Sequence, residues 1–133
     1  MSESYVITRS WKPANGSSVS YETTITSDTS VDHSGEYADG ETDKVINISI
    51  DYSQVKALFI GSDQDVLLET NNPGGSSGSA DQEFELKANC PIIWTEDDIE
   101  TNPITADITV IYLTNASGSA ANVEIHALYD ATP

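Results

Sequence analysis

Apolar and polar residues alternate with a period of two along most of this chain. In Ser18–Asp28, Val19, Tyr21, Thr23 and Ile25 fall on one face, and Ser20, Glu22, Thr24 and Thr26 on the other. In Lys44–Tyr52, Ile46, Ile48, Ile50 and Tyr52 oppose Asn47, Ser49 and Asp51. In Ala121–Asp130, Val123, Ile125, Ala127 and Tyr129 oppose Asn122, Glu124, His126 and Leu128. Such alternation marks strands with one buried and one wet face. Val55–Gly61 and Asp107–Thr114 are apolar on both faces and read as central or interface strands. Shorter runs lie at Ser4–Trp11, Val66–Thr70, Glu83–Lys87 and Pro91–Trp94. The pattern predicts about nine strands. No long helix is expected, only a brief helical turn at Tyr52–Leu58.

Many short strands separated by turn residues predict a single all-β domain, an antiparallel β-sandwich of jelly-roll type. Residues 1–12 are expected to form an N-terminal arm or first strand, and residues 13–133 the sandwich. Three polar segments read as loops: acidic Ser27–Asp43, Gly/Ser-rich Asn71–Ala80 and acidic Thr95–Asn102. The last strand is expected to present an edge on which a neighbouring chain can pair.

Composition narrows the partners. The hydrophobic fraction is 38%, below the usual ~45–50%, so the core is expected to be thin or completed by partner subunits. Twenty-two acids face five bases, for a net charge of −17. That argues against naked nucleic acid, whose binding needs basic side chains to displace counterions, and against an anionic membrane surface. It favours solubility. The single cysteine, Cys90, excludes an intrachain disulfide. No apolar run has the length of a signal-peptide core or a membrane helix, which points to synthesis and folding in the cytosol. There the sequons at Asn47 and Asn115 would stay idle.

Candidate chemistry is sparse. Gly74–Gly78, "GGSSG", matches the nucleophile-elbow string, but that motif needs a strand before it and a helix after it, and a strand is expected to follow. Ser76 therefore reads as a loop serine. His33 and His126 lack a second histidine or cysteine at metal spacing. Cys90, beside Pro91, reads as a small buried residue. Asp39, Glu41 and Asp43, and Asp63 with Asp65, offer oxygen ligands for calcium but do not fit the EF-hand ladder. Solvated acidic loops are the simpler reading. Nor does any motif support paired glycosidase carboxylates. Trp94 reads as core or subunit contact, while Trp11 near the N-terminus is open to stacking on a sugar ring.

The second half of the chain carries a resemblance. The stretch "IDYSQVKALFIGSDQDVLLETN", a Gly/Ser loop, "LKANCPIIWTEDD" and "NPITADITVIYLTNASGSAANVEIHALYD" resembles small β-sandwich structural proteins of tailed bacteriophages, over about Ile50 to Asp130. The resemblance implies a non-enzymatic virion component made in the host cytoplasm. It would be a capsid decoration or cement protein, or a related head or tail accessory protein. Its expected partners are the major capsid protein and further copies of itself, with a trimer admitted. No catalytic residue, cofactor or metal is implied. Expected contact residues are Tyr5, Ile7 and Trp11 in the N-terminal arm, with Trp94, Tyr112 and Tyr129. The rival reading is a carbohydrate-binding or host-adhesion module. A hydrolase is disfavoured by the lack of any His/Asp/Ser or metal constellation.

Overall fold

The structure, a computed structural model, describes residues 3–73 and 80–130. Among the described residues there are ten strands: β1 (Glu3–Trp11), β2 (Val19–Ser27), β3 (Thr29–Tyr37), β4 (Lys44–Ile46), β5 (Val55–Ser62), β6 (Val66–Thr70), β7 (Glu83–Leu86), β8 (Ile92–Thr95), β9 (Ile111–Thr114) and β10 (Ala121–Tyr129). One 3-10 turn, Tyr52–Gln54, precedes β5. Asp51 caps it, its side chain accepting from the Ser53 amide.

Two four-stranded sheets, ordered β3-β10-β5-β8 and β4-β9-β6-β7, face each other. The antiparallel partners are nested: β3 with β10, β4 with β9, β5 with β8, and β6 with β7. A long hairpin rolled up on itself has this pairing, which is the jelly roll. The expected fold class is therefore the one observed.

The core lies between the sheets. Val123, Ile125, Leu58 and Ile60 from one sheet join Leu68, Phe84, Ile111 and Leu113 from the other in one cluster. Each such side chain contributes about 1.5–3 kcal/mol when fully buried. Ile46, Ile48 and Ile50 are all buried, as their alternation predicts. Their segment is not one continuous strand, however. β4 ends at Ile46, and pairing resumes only as a single bridge between Ile50 and Ile108. Tyr52, expected on that buried face, is exposed, because the chain has already turned into its 3-10 segment. Likewise only Ile111–Thr114 of the Asp107–Thr114 run forms a strand, although Ile108 is buried.

Three further expectations are corrected. First, the acidic segment Ser27–Asp43 is mostly a strand, which raises the count from about nine to ten. Along β3, Val31, His33, Gly35 and Tyr37 are half-buried while Asp32, Ser34 and Glu36 are exposed. This is ordinary alternation in which the inner positions happen not to be strongly apolar. Second, β10 is not an edge. It lies between β3 and β5, paired to both. Third, Cys90 is exposed, because it sits in the turn that leads from β7 to β8. The "GGSSG" string lies outside the described residues.

Candidate functional site

β1 and β2 form a separate two-stranded antiparallel sheet. Tyr5 faces Ile25, Ile7 faces Thr23, Arg9 faces Tyr21 and Trp11 faces Val19. Directly opposed residues share a face, so one face of the hairpin carries Tyr5, Ile7, Arg9, Trp11, Val19, Tyr21, Thr23 and Ile25. The other face carries Ser4, Val6, Thr8, Ser10, Ser20, Glu22, Thr24 and Thr26.

The base of this hairpin is fastened to the sandwich. Ile25 is buried in a small satellite core with Ala57 and Leu128, and Ile7 packs against it. The Lys56 ammonium donates to the Thr26 carbonyl oxygen at 2.8 Å. The Arg9 guanidinium donates to both oxygens of Asp98, at 2.9 and 2.8 Å. Asp98 also accepts from the Thr95 amide and hydroxyl at 3.0 Å each. Its carboxyl is held below the ordinary range, chiefly by the Arg9 hydrogen bond. So the acidic loop Thr95–Asn102 serves as an anchor for the hairpin.

Around the Arg9 clamp, the other distal side chains of the same face are uncovered. Trp11 is 79% exposed, Tyr21 72% and Val19 51%. Alternation had placed Val19 and Tyr21 on a half-buried face. They are exposed because the hairpin runs past the sheet it packs on. An isolated two-stranded hairpin is marginal in water, so this arm depends on its base. The hairpin is also neutral in net side-chain charge on an acidic molecule. Residues 28–130 hold twenty of the twenty-two acids and three of the five bases, while Glu3 and Glu22 cancel Arg9 and Lys12.

Beside β1, on the outer face of the β3-β10-β5-β8 sheet, runs an open groove of about 450 Å³. Its walls include Asp32, His126 and Glu124. His126 Nδ1 lies 2.7 Å from Asp32 Oδ1, and its Nε2 lies 3.3 Å from Glu124 Oε1. Burial pulls the imidazole pKa down, but the two carboxylates outweigh it and the net shift is upward. His33 points to the other side of the sheet, with Nε2 2.7 Å from the Tyr37 hydroxyl. Among the described residues no group of three or more His, Cys, Asp or Glu is placed to hold an ion.

The six expected contact residues do not form one surface. Tyr5, Ile7 and Trp11 converge on the hairpin face. Trp94 instead packs half-buried against the main core, its indole donating to the Glu100 carbonyl oxygen at 2.8 Å. Tyr112 lies on the outer face of the opposite sheet, between Val45 and Glu69. Tyr129 ends β10, half-buried. The sequence reading missed Val19 and Tyr21 as surface residues, and Arg9 and Asp98 as a clamp. Alternation puts the first pair on the Ile25 face, but only the assembled sheets leave that end of the face uncovered. Nothing local marks the clamp, whose members are 89 positions apart.

Tyr112's neighbour Glu69 is 6% exposed and stands directly opposite Glu83. Desolvation, then Asp43 and Glu83, push its carboxyl above the ordinary 4.5. Ionised Glu69 is therefore disfavoured in the fold, and stability is lost as pH rises through 4.5 and the raised value. Like charges facing across strands cost up to about 1 kcal/mol. Glu69→Gln is expected to raise the thermal midpoint at pH 7, with the gain vanishing below pH 4.5, where both proteins are neutral at this position. Melting curves by circular dichroism check this; a gain independent of pH refutes the electrostatic cause.

No protein-family model matches this chain, and no match to it was found among curated proteins or solved structures.

Proposed function

We propose that this chain is a non-enzymatic attachment protein, a capsid decoration or cement protein of a phage head, with the β1–β2 hairpin as its gripping arm. The observation that carries this reading is the uncovered distal face of Trp11, Val19 and Tyr21. Aromatic side chains that protrude from a surface are the kind of anchor that dominates protein interfaces. The absence of net charge on the hairpin supports the same reading, because the arm can approach a surface without the repulsion of the acidic body. Jelly rolls occur in viral capsid and lectin domains, and a fold alone assigns no function. The resemblance of Ile50 to Asp130 to phage structural proteins supplies the choice of a virion. Burial of the arm across a capsomer junction would stabilise the assembled head over its dissociated parts by mass action.

Two experiments test this. Mass spectrometry of virions purified from the source is expected to find this chain at a simple ratio to the major capsid protein. A few copies per particle would move it to the tail or neck, and complete absence overturns the virion reading. A second test replaces Trp11, Val19 and Tyr21 together with serine. This variant is expected to keep its thermal midpoint, since the three side chains are exposed, and to lose capsid binding by at least about a hundredfold. Unchanged binding refutes the arm.

One observation also favours a carbohydrate reading. Trp11 and Tyr21 stand exposed on the same face, which is how a sugar-stacking platform is built. Tryptophan fluorescence across a broad glycan panel distinguishes the two. A saturable shift absent from Trp11→Ala supports sugar binding; no shift leaves the aromatic face to a protein partner.

A further inference from the structure

We propose that the free edge of β1 is a strand-addition site for an extended peptide segment of a partner protein, carrying alternate apolar residues and a basic residue at one end. The site is distinct from the distal face of the hairpin, so the proposal goes beyond the attachment reading.

Four consecutive residues of β1, Tyr5, Val6, Ile7 and Thr8, line the groove beside it, and no residue of β2 does. Side chains of a strand alternate between its faces. Four in a row can line one groove only where the strand presents its edge. Among the described residues β1 has a single strand neighbour, β2. The backbone N–H and C=O groups on its other side therefore face the groove without a strand partner. An unpaired edge is a template for a further strand, and protein partners use it by adding one.

The groove beneath this edge is built to take side chains. Phe59 and Ile93 supply its apolar side chains, and Leu58, whose side chain points into the main core, borders it. Gly61 lets the Phe59 ring lie against the sheet, since a Cβ there would come within 3.1 Å of that ring. Phe59 in turn lies beside His126, with ring centroids 6.1 Å apart. Residues of an added strand that point toward the sheet would rest on this surface. A four-residue edge corresponds to roughly 13 Å at ~3.3 Å per residue, enough for two inward side chains.

Charge decides the partner. The groove is bordered by Asp32 and Glu124, on either side of a single imidazole. Near Ile93 stands the Arg9 guanidinium, 3.5 Å from the Ile93 carbonyl oxygen and already paired with Asp98. Two carboxylates on one imidazole thus leave net negative charge at that end of the groove, which orients a segment by its basic residue. A second copy of this chain is a poor occupant. Pairing β1 with another β1 would bring together two acidic grooves on two bodies that each carry the molecule's entire net charge of −17.

The test uses the full chain and a fluorescein-labelled peptide, Lys-Thr-Val-Thr-Ile-Thr-Val, followed by fluorescence polarisation. Its controls are the same peptide with Glu in place of Lys, and one with alternate backbone amides N-methylated. The lysine peptide is expected to bind in the micromolar range, and the controls to fail up to about 1 mM. Asp32→Asn with Glu124→Gln, and separately Ile93→Ser, are each expected to weaken binding about tenfold. Hydrogen exchange followed by NMR is expected to show β1 amides gaining protection when the lysine peptide is present. The Trp11, Val19, Tyr21 triple serine variant is expected to bind the peptide unchanged, which separates this site from the attachment arm. Equal binding of the N-methylated or Glu peptide overturns the proposal. So does a complete lack of binding, or a concentration-dependent dimer that protects β1 without peptide.

Discussion

Asn115→Ala is expected to be among the most destabilising polar substitutions in this protein, costing about 3 kcal/mol and lowering the thermal midpoint by about 10 °C. Asn115 follows the last residue of β9 and is completely buried. Its side-chain amide donates to the carbonyl oxygens of Tyr37 at 3.0 Å and Ser119 at 2.8 Å. Its side-chain oxygen accepts from the Ser117 amide at 3.1 Å and hydroxyl at 2.7 Å. Its backbone completes the knot, donating to the Glu41 carbonyl oxygen and accepting from the Gly40 amide, each at 2.8 Å. The chain passes between the two sheets at both places joined here, from β3 to β4 and from β9 to β10. Removing the side chain would strip partners from part-buried backbone groups of Tyr37, Ser117 and Ser119 at once, and a buried group left unsatisfied costs roughly 1–3 kcal/mol. Asn115→Asp should be no rescue. It keeps the acceptor but turns a carboxylate oxygen toward two carbonyl oxygens. Asn47→Ala, at an exposed asparagine, is the neutral control. Denaturant unfolding with an unchanged slope checks the prediction; a loss below about 1 kcal/mol would mean that water replaces the side chain.

Leu128→Ala is expected to detach the hairpin before it unfolds the sandwich. Leu128 is 4% exposed and packs with Ile25 and Ala57 in the satellite core, on the outer side of β10. Leu→Ala at such a site costs about 2–5 kcal/mol. The main core does not include it, because Val123, Ile125 and Ala127 point to the other side of the strand. With Leu128 truncated, the hairpin keeps a reduced apolar contact of Ile25 and Ile7 with Ala57, together with Arg9–Asp98 and the Lys56 contact with Thr26, the last two partly solvent-exposed. Exposed ion pairs contribute little, typically ~0–1 kcal/mol. Amide exchange in β1 and β2 is therefore expected to accelerate far more than in β5, β6 and β9. Uniform acceleration through all ten strands would show instead that hairpin and sandwich unfold as one unit.

How much of this was legible in the chain follows from the range of the forces involved. Alternation along Ala121–Tyr129 assigned Val123, Ile125 and Ala127 to a buried face, and they are buried. It also put Leu128 on the polar side, where it is buried too, because a second element covers that side. No local pattern announces such a cover. β3 was read as a loop because its inner positions are Val31, His33, Gly35 and Tyr37, a set with weak apolar contrast. What makes it a strand is the nine-residue register with β10, almost a hundred positions away. The two Thr-Asn pairs, Thr70-Asn71 and Thr114-Asn115, were a usable signal that went unread. Both asparagines close strands and use their side chains to tie down loops, as Asn71 does through Asp81, Asp107 and Thr109.

Strand periodicity, turn chemistry and net charge are properties of neighbouring residues and of sums, so the all-β class, the sandwich and the acidic character could be read from the chain alone. Strand order, the Arg9–Asp98 clamp, the uncovered Trp11–Tyr21 face and the free edge of β1 depend on distant segments meeting. Alternation says which side chains share a face; only the assembled sheets decide whether anything lies against it.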